Sequence, residues 1–457
     1  MKYINQIIKI LDRYEGDGYL VGGFVRDYLL NRESNDIDLA INVQVKEVAR
    51  EFCDIVNGSF VVLDDLHNIY RVVIDDMIYD FTPVVGNSIK EDLLNRDFTI
   101  NAVAISLSTI NFTNQGYKIK KMIDPTNGRE DINNGVIRAV NKKVFREDPL
   151  RLFRAIRFKA ELNFTIEKNT EVIMKENPKM IKDIARERIH DELIKILNTK
   201  RAAKNLFYLE NEFSLLSNLI SDVNELKEIG ECKYHREDVW THSLYAVKKL
   251  EQLLEEDYWN KRIDSDKIPL LKFATLFHDL GKLITEEVID GEIHFYGHDK
   301  EGAKYIEPIL RELCFSKKSI TYIKKIIRYH MRPLSLYYAD NLTDKGKYRF
   351  FRTVESSVVD VCLLAAADTL STKLLNSRQD EIKDNLAFLK ELIKEWQEVE
   401  ERTAEPLLTG YDIIEIFSIE EGPQIGEILK EVNEAQAQGL ITNYQEAIEY
   451  IKNIINQ

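Results

Sequence analysis

Hydrophobic and polar positions change period along this chain. At the start, MKYINQIIKILDRYEG reads as an amphipathic helix, and a Gly22-Gly23 turn then opens a second helix within about the first thirty residues. From Asn35 to about Val84 the apolar residues fall in short runs: DIDLAI, SFVVLD, YRVVID and MIYDFTPV. Each is rich in Val, Ile, Phe or Tyr and bounded by Asp, Asn or Gly, the pattern of a strand between turns. INAVAISL and YKIKKMID add a β-rich pair across residues 100–123. These runs lie too close together for a regular alternation of strand and long helix, which predicts a small mixed sheet with flanking helices. Beyond about residue 136 the period is helical, with Leu150, Phe153, Ile156 and Phe158 at spacings near three.

The pattern gives an α+β fold class, a mixed-sheet head followed by an all-helical remainder. A chain of 457 residues is too long for one ordinary core. The expected division is a head over 1–135, a helical neck over 136–220, a helical body over 221–400 and a helical tail over 401–457. Hydrophobic content of 44%, with nine prolines and nineteen glycines, excludes a disordered chain. No apolar run approaches the roughly 18–20 residues that span a bilayer, and no signal peptide is visible at the start. Cys53, Cys232, Cys314 and Cys362 are scattered without a CxxC pair, which suits reduced thiols in a cytoplasm.

Net charge is −14, but its distribution matters more than its sum. Val136 to Lys204 holds 18 basic against 10 acidic residues. A basic middle in an acidic protein fits a phosphate-binding surface, and equally a solvated helical face.

Chemistry enters at Asp36-Ile-Asp38. Two carboxylates two residues apart on a strand share one face and offer hard oxygens to one or two Mg²⁺ ions. Such a pair alone is weak, but here Gly22-Gly23 opens a helix whose amides can receive phosphate, with Arg26 one turn along. MIYDF brings Asp80 as a third carboxylate candidate.

Four ordered stretches carry a resemblance. They are GGFVRDYLL…DIDLA, Arg96-Asp97-Phe-Thr-Ile-Asn-Ala, Asp124-Pro-Thr-Asn-Gly128, and Arg146-Glu147-Asp148-Pro-Leu-Arg151 with Arg154 and Arg157 beyond. Together they resemble the motifs of class II tRNA nucleotidyltransferases, the CCA-adding enzymes and their poly(A) polymerase relatives. The resemblance implies a DNA-polymerase-beta-like head followed by neck, body and tail. It implies addition of C, C and A to the tRNA acceptor end from CTP and ATP with Mg²⁺, releasing pyrophosphate. Asp36, Asp38 and Asp80 would be catalytic; Gly22, Gly23, Arg26, Arg96, Asp97, Asp148, Arg151, Arg154 and Arg157 would bind nucleotide. Asp148 and Arg151, one helical turn apart, offer an acceptor and planar donors to the edge of C or A. Arg96 would contact the nucleotide and Asp97 select ribose. IARERIHDELIKIL resembles the supporting motif, with Arg186 and Arg188 near the pocket or RNA.

Two departures stand out. Asn95 precedes Arg96-Asp97 where the family usually has arginine, and the segment between Asp80 and Arg96 is short. Many CCA-adding relatives carry a longer loop there, so addition of CC alone is an open alternative, as is poly(A) synthesis.

His242, His278-Asp279, His298, His330 and Asp368 form a second set. THSLYAV and LKFATLFHDLGKL read as helices, the latter carrying His278-Asp279 and ended by Gly281. The set resembles the HD metal-dependent phosphohydrolases, and its donors suit a transition metal. An HD phosphohydrolase with an RNA-binding N-terminal part is therefore the reading from another class. The C-terminal stretch from Pro406 through Gly422-Pro423 resembles the tail of HD-containing members. Oligomeric state is not legible.

Overall fold

The computed structural model describes residues 2–113, 116–119, 121–176, 178–230, 237–372 and 379–455; Cys232 lies outside them. They form two compact units, 1–196 with 208–219, and 197–207 with 220–457.

The first unit begins with α1 (Ile4–Arg13), β1 (Gly18–Leu20), α2 (Gly22–Leu29), β2 (Asp36–Ile41) and α3 (Val45–Val56). A meander follows: β3 (Ser59–Asp64), β4 (Ile69–Ile74) and β5 (Met77–Pro83), then α4 (Ile89–Leu94) and β6 (Ala104–Ser106). The hairpin β7 (Ile110–Thr113) and β8 (Gly116–Ile119) precedes β9 (Met122–Ile123). The main sheet has seven strands in the order β3-β4-β5-β2-β1-β6-β9, with β2 and β5 parallel and the other pairs antiparallel. It is the mixed sheet that the crowded apolar runs predict. One face is apolar: Ile7 and Ile10 of α1 and Val48 and Phe52 of α3 bury against Leu39, Val72, Tyr79 and Phe81. Alternation leaves Asp36, Asp38, Arg71 and Asp80 on the other face.

INAVAISL departs from the expected strand. A 3-10 turn covers Thr99–Asn101 and only Ala104–Ser106 is strand. Side chains tie the turn down, Thr99 Oγ1 donating to Asp131 at 2.7 Å and Asn101 Nδ2 to Asp97 at 3.0 Å. Such local capture competes with a β ladder.

Next come α5 (Gly128–Asn134), β10 (Val136–Ile137), α6 (Val144–Glu147), α7 (Arg151–Leu162), β11 (Thr165–Ile166), α8 (Lys168–Lys175) and α9 (Arg186–Leu197). Asp148 and Arg151 do not share a helix as their spacing suggested. Asp148 is extended (φ −145°, ψ 99°) between α6 and α7. Pro149 is the reason: its ring disfavours helical backbone at the residue before it. α10 (Ala202–Phe213) and α11 (Leu215–Leu219) follow.

The second unit is helical apart from one hairpin. It opens with α12 (Asp222–Glu228), α13 (Val239–Leu254), α14 (Asp257–Asn260), α15 (Ile268–Leu276) and α16 (Lys282–Thr285). The hairpin β12 (Glu287–Ile289) and β13 (Glu292–His294) leads into α17 (His298–Glu312), α18 (Lys317–Tyr329), α19 (Arg332–Tyr337) and α20 (Asp344–Val354). α21 (Val358–Ser371), apolar on nearly every side and buried, packs against α13 and α22 (Gln379–Thr403). α23 (Gly410–Phe417), α24 (Pro423–Ala437) and α25 (Tyr444–Ile455) share their own small core around Ile413, Ile428 and Val432. Thr409 and Asp412 close a capping box on α23, and Pro423 opens α24 as its sequence position suggests. Among the described residues no helix is long and apolar enough to cross a membrane.

His278-Asp279 corrects one expectation. α15 stops at Leu276, and the pair lies in the turn that follows rather than inside the helix. Gly281 packs this turn against α17 so closely that a Cβ there would sit 2.0 Å from the His298 carbonyl oxygen. A continuous helix would not bring the backbone to that contact.

Candidate functional site

Asp38 is the anchor of the head. Its Oδ2 accepts the Gly23 amide at 3.0 Å and the Phe24 amide at 3.4 Å, so the carboxylate sits on the N-terminus of α2. The turn needs glycine at position 22: φ is +64°, and a Cβ would lie 2.8 Å from Asp38 Oδ2. The amides expected to receive phosphate thus hold Asp38. Burial pushes its carboxyl above the ordinary value; Asp80 adds to the rise, while the two amides and Arg96 oppose it. Asp36 is exposed at the start of the strand. Asp80 stands directly opposite Asp38 in register, gripped by Arg71 through Nε at 2.7 Å and Nη2 at 2.8 Å.

The arginines are largely engaged. Arg26 is buried, with its guanidinium on Asp27 and on Asn101 Oδ1 at 2.9 Å. Arg154 binds Asp97 at 2.6 Å and Arg157 binds Glu192 at 2.6 Å. All three lie over the Phe158 ring, 4.1 to 5.4 Å from its centroid. Burial alone would raise the Asp97 carboxyl, but Arg154, Asn101 and the Phe98 amide hold it below its usual range. Asp97 is 6% exposed, so no open surface presents it to a ribose in this structure. Arg96 is positioned by Asp92, a buried acid that the sequence reading missed. Asp92 also accepts the Val85 amide, tying the segment after Asp80 to the same point. Its only signal was an i, i+4 spacing to Arg96.

Asp148 and Arg151 remain neighbours despite the break between helices. Arg188 donates to Asp148 Oδ2 at 2.7 Å, whereas Arg151 donates to the carbonyls of Val144 and Asn95. Both side chains keep some exposure, 26% for Asp148 and 18% for Arg151. The acceptor on Asp148 and the planar donor on Arg151 are linked through the backbone, the Arg151 amide donating to the Asp148 carbonyl at 3.1 Å.

The helical unit brings its six predicted residues together. His242 comes from α13, His278 and Asp279 from the turn after α15, His298 from the start of α17, His330 from the end of α18 and Asp368 from α21. They form three overlapping triads whose donor atoms all lie within 4.8 Å of one another in each triad. His242 Nε2 lies 2.9 Å from Asp368, and His298 Nε2 lies 3.3 Å from both Asp279 and His330 Nε2. The orientation has a local cause. His278, His298 and His330 each direct Nδ1 at the carbonyl three residues earlier, at 2.7 to 2.9 Å. With Nδ1 engaged in this way, each Nε2 faces inward. Burial lowers His278, yet Asp279 and Asp368 hold it up at about 9. Burial and the neighbouring histidines push His330 down to about 3. Inward Nε2 atoms beside two carboxylates held well below their usual range, with buried His278 Nε2 lacking a hydrogen-bond partner, fit a cation that would take the place of the His278 proton. Among the described residues, the head carboxylates form no such triad.

The chain is similar to known proteins along most of its length. The poly(A) polymerase head domain matches residues 18–86 and 82–138. A region named for RNA and SrmB binding in polymerase A matches 163–226, and tRNA nucleotidyltransferase domain 2 matches 300–451. The A-adding tRNA nucleotidyltransferase of Deinococcus radiodurans is 31% identical over 95% of this chain and 94% of its own length. The CC-adding tRNA nucleotidyltransferase of Thermus thermophilus is 30% identical over 94% and 92%. A solved CCA-adding enzyme with CTP shares the fold, with a TM-score of 0.65 at 21% identity over 99% of this chain and 95% of that one.

Proposed function

This chain belongs to the tRNA nucleotidyltransferase family, and on that footing we propose that it adds C, C and A to the 3′ end of tRNA without a template. The observation that carries the reading is the seat of Asp38 on the glycine-opened α2, with Asp36 on the same face and Asp80 opposite. The family is metal-dependent. Asp36 and Asp38 offer the hard oxygens that Mg²⁺ takes, and the bound ion would offset triphosphate charge and acidify the attacking hydroxyl. The α2 amides hold Asp38 in one orientation, and Arg96 brings positive charge to the nucleotide side. The tRNA 3′-hydroxyl attacks the α-phosphorus of CTP or ATP, and pyrophosphate leaves.

Base choice follows from Asp148 and Arg151. Cytosine and adenine both present an amino donor beside a ring-nitrogen acceptor, which a carboxylate and a guanidinium complement. Uracil and guanine present the reverse order. The basic neck suits the acceptor arm, and the four scattered cysteines of the sequence suit the cytoplasm.

A second reading, addition of CC alone, rests on the connection from β5 to α4. It has five residues, 84–88, and is pinned by the Val85 and Asn87 amides on Asp92 and Glu91. Such a short, tied segment has little freedom to reshape a pocket between C and A. In the helical unit, the six-residue cluster would hold a transition metal in the manner of HD phosphohydrolases.

The test is to incubate tRNA lacking its 3′ end with CTP, with ATP, and with both. Full CCA addition with both nucleotides supports the first reading. Arrest at CC despite ATP selects the second, and no incorporation of either nucleotide overturns both.

A further inference from the structure

Three carboxylates on one sheet face repel one another, and the pairing register shows what sits beside them. Asp38 pairs with Asp80 across β2 and β5, and Asp80 with Arg71 across β5 and β4. All three side chains share a face with Asp36, since strand residues two apart point the same way. The contact between Arg71 and Asp80 is a two-point fork, Nε to Oδ1 and Nη2 to Oδ2. A fork of this kind fixes the plane of a carboxylate as well as its place, which a single ammonium contact does not. The pair is about one-third and one-quarter exposed, so it looks onto the same open surface as Asp36. The Arg71 charge is favoured first by its bonds to Asp80 and then by Asp36 and Asp38, and Arg96 adds its charge at Asp38.

We propose that Arg71 is a positioning residue of the transfer site: it holds the Asp80 carboxylate in one plane beside Asp38 and supplies counter-charge at Asp80. The inference rests on the nucleotidyl-transfer reading of that cluster. It assigns Arg71 no contact with the nucleotide and routes its effect through Asp80. While the fork is closed, Asp80 cannot chelate a cation through the same edge of its two oxygens. Its contribution is then a single oriented oxygen rather than a swinging bidentate arm.

A double-mutant cycle on the full-length protein tests this, with Arg71→Met, Asp80→Asn and the combined variant. Transfer of CMP to trimmed tRNA is read as kcat and KM for CTP. Melting temperature is read separately in EDTA, where no metal contributes. Arg71→Met is expected to lower kcat about 10–100-fold, the usual scale for a partner that orients a ligating group. KM for CTP should stay within about twofold, because uniform nucleotide binding is untouched. In the Asp80→Asn background the same substitution should change kcat by less than about twofold. The EDTA melts should also couple, with Arg71→Met lowering the melting temperature more when Asp80 is present than after Asp80→Asn. A tenfold rise in KM with kcat unchanged would make Arg71 a nucleotide contact and overturn the proposal. So would a kcat loss that persists in full after Asp80→Asn, or an Arg71→Met enzyme as fast as the unaltered one. Should Asp36→Ala retain transfer, the nucleotidyl-transfer reading itself falls, which these outcomes do not mimic.

Discussion

The two acidic sites of this molecule are built on opposite plans. The head site is open: Asp36 is exposed, Asp38 is held by backbone amides and Asp80 by an arginine. The helical site is closed: His242, His278, Asp279 and His330 are at most 2% exposed and converge from three separate segments. An open set of hard oxygens suits a cation that arrives and leaves with its triphosphate. A buried nitrogen-rich set suits one that stays. Burial and ligand convergence, rather than residue type alone, separate a substrate-borne ion from a resident one.

The largest effect expected is at Asp38. Asp38→Ala removes a cation ligand together with the partner of two α2 amides, and transfer should fall by about a thousandfold or more. The helical cluster's metal content should not change, and a coupled loss would break the contrast. Next is Gly22→Ala. Left-handed backbone costs a non-glycine residue about 1–2 kcal/mol, and the new Cβ would press on Asp38 Oδ2 at 2.8 Å. Rate measurements should show a fall of about 10–100-fold with nucleotide selectivity intact. Asp148→Ala should act on choice instead. Discrimination of CTP against UTP should drop by about tenfold or more, on the scale of one paired base edge, and unchanged selectivity would remove Asp148 as a base reader.

The smallest effect sharpens the helical side. Burial raises the Asp360 carboxyl on α21 to about 6, against Lys267 and Tyr322. The folded state therefore binds that proton more tightly than the unfolded chain. Its contribution to stability is full below about pH 4, is lost as pH rises to about 6, and is constant above. Asp360→Asn should flatten this slope and gain about 2–3 kcal/mol near neutral pH relative to the unaltered chain. Melting curves across pH 4–8 read the difference, and a slope that survives the substitution unchanged would remove Asp360 as its source.

Much of this was legible before any coordinates. Runs such as DIDLAI and SFVVLD marked β2 and β3 to the residue, because β-branched and aromatic residues between turn formers have few other homes. The paired aspartates and the scattered histidines were likewise visible as types at spacings. Pro149 signals that Asp148 leaves the helix, against the i, i+3 spacing of Asp148, Arg151, Arg154 and Arg157 that reads as one helical face. What stayed hidden depends on register and on distant partners. Nothing in YRVVID marks Arg71 until β4 is set beside β5, and nothing near Glu192 announces Arg154 and Arg157. Asp97 shows the same limit, since its burial against Arg154 needs the neck in place.

The most direct test of the two-plan account is a crossed measurement on Asp36→Ala and His278→Ala. Each full-length protein is assayed for CMP transfer to trimmed tRNA and for tightly bound transition metal by elemental analysis. Asp36→Ala should lose transfer and keep its metal, while His278→Ala should lose metal and keep transfer within a few fold. Loss of both properties from either substitution would contradict the account.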